Sequence, residues 1–137
     1  MERIFQKAAR IRQYLQIIET LKPDCPHRFM GDSIYRGALL HYLYLTADSC
    51  IALAQLIIKH RGLRPPQSYA EAFDILAEGG ILDPAFAYDF AQIAGFRNFL
   101  AHDYEDVDPA VICGPVLDRM NDVALFLHQV TRALGEP

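Results

Sequence analysis

Hydrophobic residues recur at helical spacing from the start of the chain. In residues 2–21 the apolar positions follow one another in alternating steps of four and three, which is typical of one buried face of a helix. These positions are Ile4, Ala8, Ile11, Leu15 and Ile18. Pro23 and Pro26 end the pattern, so the sequence predicts a first helix over about residues 2–21.

The second segment, roughly residues 33–60, is apolar on nearly every side. Asp32 and Ser33 are candidate N-caps, and few polar residues interrupt the stretch from Gly37 to Ile58. Its length suits a membrane span, but Asp48 at its centre would be costly in lipid and no second span follows. We therefore predict the central helix of a bundle, which also buries a face against a second copy in a homodimer.

Two shorter helical segments follow. Ser68 to Glu71 forms a capping box, and Gly79–Gly80 closes the short helix that it opens. Asp83–Pro84 provides an N-cap and a proline at the first helical position. The sequence predicts that this fourth helix runs to about Phe99.

Asp108–Pro109 repeats the same start signal for the last segment, in which Pro115 must kink the helix or mark its true beginning. No segment alternates in the way a strand does. The predicted fold is all-α, an antiparallel bundle of four long helices plus one short helix, in a single domain over residues 1–137.

Composition agrees with one soluble domain. The 137 residues are 52% hydrophobic and 22% charged, which excludes a disordered chain. The net charge of −4 is unfavourable for general nucleic-acid binding and leaves room for a basic partner. The charged residues after the second helix, Lys59 to Arg64, are either cations at a helix C-terminus or a rim for a phosphate backbone.

The cysteines and the N-terminus indicate the compartment. Cys25, Cys50 and Cys113 are scattered and contain no CxxC pair, which argues against a disulfide scaffold and a cysteine zinc site and fits a reducing compartment. The first twelve residues carry charges throughout, unlike a signal peptide. We therefore expect a cytoplasmic protein.

Candidate chemistry is concentrated in residues 95–104, GFRNFLAHDY. Arg97 lies close to an apolar stripe, and His102 and Tyr104 fall in the predicted break before Asp108. Arg97 and His102 would lie about 140° apart on a continuous helix, whereas a helix ending near Phe99 would bring them towards one pocket. Guanidinium and imidazole together suit phosphodiester chemistry, although both could simply satisfy helix-end carbonyls and neighbouring acids.

Arg97-x-x-x-x-His102 within this string resembles the motif of HEPN-domain proteins, and its extension to Tyr104 is similar to the HepT-type toxin branch. The likeness covers essentially the whole chain. It includes the long apolar helix with Asp48 in its middle and the upstream residues from Ser68 to Leu82. Ala70 and Ala101 depart from residues that are common in that branch.

The resemblance implies a toxin of a type VII-like toxin–antitoxin pair. Such proteins are homodimers whose motifs line a shared cleft, and they cut RNA without a metal or other cofactor. Arg97 and His102 would be the catalytic pair, with Asn98 and Asp48 in support. The antitoxin, a minimal nucleotidyltransferase that uses ATP and Mg²⁺, would transfer AMP onto Tyr104.

Two other interpretations remain open. The first is a metal nuclease, because four carboxylates within six residues could hold Mg²⁺; they are Asp103, Glu105, Asp106 and Asp108. The second is a non-catalytic nucleotide-binding or adaptor module, in which Arg97 holds a nucleotide phosphate. Sensitivity to EDTA separates the two nucleases, and loss of toxicity in His102→Ala separates nuclease from adaptor.

Overall fold

A computed structural model describes residues 1–135. It contains six α-helices of seven or more residues and two shorter α-helical turns, with further short turns of 3₁₀ or π type between them. No strand occurs within the described residues. The helices are α1 Glu2–Leu21, α2 Cys25–Arg28, α3 Ser33–Arg61, α4 Tyr69–Glu78, α5 Pro84–Phe90, α6 Ile93–Asp103, α7 Pro109–Val111 and α8 Met120–Ala133. The all-α prediction is confirmed. Residues 136 and 137 of the predicted domain lie outside the described residues, and the single domain over 1–137 stays a prediction.

The predicted caps place the helix boundaries. The Asp32 carboxylate accepts hydrogen bonds from the backbone N–H groups of Ile34 and Tyr35 at the start of α3. At the other end of α3, Gly62 adopts the left-handed conformation, with φ 65°, which favours glycine. The Ser68 hydroxyl accepts from the N–H of Glu71 at the start of α4. Side-chain caps therefore determine where both helices begin.

Helix α3 is the centre of the bundle and packs against α1, α4 and α6. Within the described part of the chain it is also the one helix long and apolar enough to span a membrane, and 56% of its most apolar stretch is buried inside the protein. Core helices of soluble bundles meet the same criteria of length and composition. Side chains of α3 fill both core clusters, with Leu53 and Ile57 in one and Leu39 and Leu43 in the other.

The predicted fourth helix is wrong in two respects. It is divided into α5 and α6 by a turn at Ala91 and Gln92, where Gln92 and Ala94 donate tighter i to i−3 backbone bonds. It also continues past Phe99 to Asp103. Leu100 is buried against the core, so continuing the helix keeps this apolar side chain inside.

The expectation about the cysteines also needs correction. Cys25 and Cys113 form a disulfide that joins α2 to the π-helical turn at residues 112–116, at a sequence separation of 88. Cys50 is a buried free thiol, and burial raises its pKa. Pro115 lies inside the π-helical turn, so it interrupts the last segment instead of beginning it, and the regular helix α8 begins at Met120.

Candidate active site

Arg97 and Asp48 meet between the two helices that carry them. The Arg97 Nε donates to the Asp48 Oδ1 at 3.0 Å, which joins α6 to the middle of α3. The Arg97 side chain is 19% exposed and that of Asp48 is 45% exposed. Asp48 is therefore half-exposed and paired, although it lies in the middle of the apolar α3.

Two aromatic rings also hold the guanidinium. The Arg97 Cζ lies 5.4 Å from the ring centroid of Tyr44 on α3 and 5.4 Å from that of Tyr69 on α4, within the range of cation–π attraction. Neither tyrosine belongs to the site predicted from sequence. Tyr44 precedes Asp48 by four residues and so shares its helix face, whereas no sequence pattern places Tyr69 beside Arg97.

These contacts fix the orientation and the charge of Arg97. Its Nη1 donates to the Oδ1 of Asn98 at 3.2 Å. The hydrogen bond to Asp48 raises the pKa of Arg97 above its ordinary value, against the opposing effect of partial burial. The result is a permanently charged, planar donor held from several sides at the protein surface.

His102 and Tyr104 lie beyond Arg97 at the end of α6. His102 is exposed in the last turn of the helix, and Tyr104 is 52% exposed at the start of a 3₁₀ turn over residues 104–106. Because α6 continues through His102, Arg97 and His102 leave the helix in directions about 140° apart. The predicted turn after Phe99, which would have brought them together within one chain, does not exist.

Tyr104 nevertheless faces the same groove as one of the rings that hold Arg97. This open groove of about 210 Å³ lies between α3 and α6. It is lined by Gly37, Leu40, His41, Tyr44, Leu100 and Tyr104. Tyr44 thus contacts Arg97 and also lines the groove that contains Tyr104.

The other candidate groups do not assemble into sites. Among residues 1–135 no group of three or more His, Cys, Asp or Glu side chains is placed to hold a metal ion. Asp108 caps a helical turn by accepting from the N–H of Ala110. Arg64 is paired with Glu71 and Glu78, and Arg61 donates to the carbonyl of Ala133.

A family model described as ribonuclease HepT-like matches residues 8–130. The chain belongs to the ribonuclease HepT-like family. The match spans α3, α4 and α6, the helices that position Arg97. The resemblance seen in the sequence is therefore confirmed.

Relatives of this HepT-like chain carry consistent names. An mRNA nuclease HepT from Shewanella oneidensis is 23% identical over 127 residues, which is 93% of this chain and 95% of that protein. A tRNA nuclease HepT from Aphanizomenon flos-aquae is 32% identical over 74 residues, 53% of this chain and 50% of that protein.

Solved structures support the fold. The tri-AMPylated HEPN toxin of Shewanella oneidensis, in complex with an MNT antitoxin, has a TM-score of 0.83 at 22% identity, covering 94% of this chain and 96% of that chain. A cytosolic protein of unknown function from Bacillus subtilis has a TM-score of 0.70 at 16% identity, covering 94% of this chain and 93% of that chain. At these identities the likeness establishes the HEPN-like helical bundle.

Proposed function

We propose that this HepT-like protein is a metal-independent endoribonuclease and the toxin of a toxin–antitoxin pair. The observation that carries the proposal is the charged Arg97, held by Asp48 and two aromatic rings at the surface of the same helix that presents His102. A donor fixed in this way is suited to a phosphate whose charge grows during reaction.

Cleavage would proceed by attack of the ribose 2′-oxygen on the adjacent phosphorus. The P–O5′ bond breaks, which leaves a 2′,3′-cyclic phosphate and a 5′-hydroxyl. An imidazole of His102 removes the 2′-hydroxyl proton or protonates the departing 5′-oxygen, while Arg97 stabilises the pentavalent phosphorane. The need for a 2′-hydroxyl restricts the substrate to RNA.

The exposed face of α3 supports a homodimer. Seven positions of this helix follow one another in steps of four and three, the spacing of a helix–helix seam. They are Ile34, Ala38, His41, Leu45, Asp48, Ala52 and Gln55, hereafter the α3 seam. All seven are partly or fully exposed although α3 is central to the fold, and Ile34 is 84% exposed.

Pairing two α3 seams would place the active site at the subunit interface, because Asp48 is both a seam residue and the partner of Arg97. A shared cleft would contain two copies of Arg97 and two of His102. In one chain Arg97 and His102 point in different directions from α6. In the proposed dimer the second subunit would supply the imidazole that acts as acid or base beside Arg97.

Tyr104 is the proposed site of silencing. Tyr104 is half-exposed in a short turn, where a second protein can reach its hydroxyl. A nucleotidyltransferase antitoxin using ATP and Mg²⁺ would transfer AMP from ATP to this oxygen, with loss of the hydroxyl proton and release of pyrophosphate, as the AMPylated state of the Shewanella oneidensis toxin supports. The added phosphodiester is negative and would repel RNA from an already acidic protein. Both proteins would act in the cytoplasm because their RNA and ATP are found there, whereas the Cys25–Cys113 disulfide removes the argument from the cysteines for a reducing compartment.

Expression in bacterial cells tests the proposal. Wild-type chain should arrest growth and fragment cellular RNA, whereas an equally abundant His102→Ala chain should do neither. Net acidity favours the second candidate, a non-catalytic nucleotide-binding or adaptor module. That candidate gains support, and the nuclease is contradicted, if His102→Ala is as toxic as the wild type.

A further inference from the structure

Tyr69 is an exposed aromatic residue in direct contact with the proposed catalytic cation. The Arg97 guanidinium lies over its ring, yet the residue remains 40% exposed. Its neighbours in α4 that serve the core, Ala72, Phe73, Ile75 and Leu76, are all buried. The Tyr69 side chain is therefore not required to fill the interior.

The backbone beneath Tyr69 is held firmly. Ser68 accepts a hydrogen bond from the N–H of Glu71, and the Glu71 carboxylate accepts from the N–H of Gln67. Arg64 is also paired with Glu71. These contacts fix the first turn of α4, so the ring has a defined position and little entropy is lost when a planar ligand covers it.

Holding Arg97 does not by itself explain Tyr69. Asp48, Asn98 and Tyr44 already orient the guanidinium. An exposed ring beside a phosphate-binding cation is instead the combination with which proteins bind single-stranded RNA, where the cation takes the backbone and the ring stacks on a base.

We propose that Tyr69 is a stacking platform for an unpaired base of the RNA, next to the phosphate that Arg97 binds. This inference rests on the proposed ribonuclease function and adds a preference for unpaired RNA. In RNA only one ribose separates a phosphate from its base. Arg97 and Tyr69 are in direct contact, so they are close enough to bind the phosphate and the base of one nucleotide. A base held in a duplex could not reach this ring.

Binding to two RNA backbones tests the platform. The full-length His102→Ala protein is used, so that no cleavage occurs, and the probes are oligouridylate and the same ribose-phosphate chain lacking bases. Adding Tyr69→Ala should weaken oligouridylate binding by roughly 5- to 150-fold, the range expected for loss of base–aromatic stacking. Binding of the abasic chain should weaken much less, because Asp48, Asn98 and Tyr44 still hold Arg97.

Two further variants serve as controls. Tyr69→Phe keeps the ring and should bind both probes as the parent does. Tyr88→Ala removes another strongly exposed tyrosine, from α5, and should also change nothing. Circular dichroism of each variant confirms that the helices are retained.

The outcomes separate this inference from the function on which it depends. Equal weakening of both probes would show that Tyr69 acts only through Arg97, and unchanged oligouridylate binding would show that it does not contact RNA; either result overturns the platform alone. Failure of the parent protein to bind either probe would contradict the ribonuclease proposal and the platform together.

Discussion

Arg97 is the residue on which the proposed chemistry depends most. Four side chains from three helices hold its guanidinium: Asp48, Asn98, Tyr44 and Tyr69. The hydrogen bond to Asp48 fixes the direction of this planar group. This degree of positioning matters only if the shape of the guanidinium, and not merely its charge, is used.

Replacing Arg97 by alanine or lysine tests that requirement. We expect each variant to lower the RNA cleavage rate by at least about 100-fold, a loss comparable to that of one donor to a transition-state oxyanion. Lysine should fail because an ammonium is a point charge that cannot make paired planar contacts. Rates are compared with Arg132→Lys, a substitution on α8. Cleavage by Arg97→Lys at the wild-type rate would mean that charge alone suffices.

Tyr104 carries a separate prediction about silencing. Tyr104→Phe keeps the ring and removes the acceptor oxygen, so the variant should remain toxic and escape rescue by a co-expressed nucleotidyltransferase. Intact-mass spectrometry should show AMP-sized additions on the wild-type chain only. If the wild-type toxin is silenced while Tyr104 remains unmodified, covalent modification is contradicted and inhibition by simple binding is favoured.

The sequence indicated part of this site. The string at residues 95–104 pointed to Arg97 and His102, and the resemblance suggested Asn98 and Asp48. Tyr69 could not be found in this way, because its approach to Arg97 depends on how α4 packs against α6. The expected meeting of Arg97 and His102 required a helix end near Phe99, and burial of Leu100 extends the helix instead.

Helix boundaries were predictable where local chemistry determines them. The starts of α3 and α4 follow from the caps Asp32 and Ser68. The division between α5 and α6 has no such signal, since Ala91 and Gln92 both favour helix. Arg119, from the segment before α8, donates to Asp89 before this turn and to Gln92 within it, so a tertiary contact accompanies the break.

The disulfide could not be predicted either, because it depends on how the folded chain brings two distant cysteines together. Cys25 and Cys113 lie 88 residues apart in sequence, with Cα atoms 5.5 Å apart. Closing so long a loop restricts the unfolded chain strongly. Reduction should therefore lower the free energy of unfolding by about 4 kcal/mol.

Denaturant unfolding with and without a reductant measures this effect, and Cys113→Ser should behave like the reduced protein under both conditions. Thiol alkylation provides the control. The folded, reduced protein should be labelled at the partly exposed Cys113 but not at Cys25 or Cys50, which are both fully buried. Burial also raises the pKa of the Cys50 thiol. Equal stability of oxidised and reduced protein would show that the bond does not form in solution.

For the whole molecule, the proposed catalysis requires two copies. One chain places Arg97 and His102 on different sides of α6, and its exposed α3 seam includes the Asp48 that holds Arg97. The proposed dimer would thus be tied to catalysis through Asp48. In that dimer the strongly apolar α3 would serve the core on one side and the second subunit on the other.

Leu45→Glu tests the interface, because it adds a negative charge beside Asp48 in a seam that contains no Lys or Arg. An unpaired charge in an interface costs about 3–5 kcal/mol, so the dimer dissociation constant should rise at least about a hundredfold. Sedimentation should show monomers where the wild type is dimeric. Leu125→Glu, at an exposed apolar position of α8, is the matched control and should remain dimeric. A wild-type chain that is monomeric at micromolar concentration would contradict the shared cleft.

Metal-independent cleavage is tested by incubating RNA with the purified protein in excess EDTA and analysing the new ends. We predict undiminished cleavage by the wild type, products ending in 2′,3′-cyclic phosphate and 5′-hydroxyl, and no cleavage by His102→Ala. Loss of activity in EDTA with recovery on adding Mg²⁺, or wild-type cleavage by His102→Ala, would contradict the proposed mechanism.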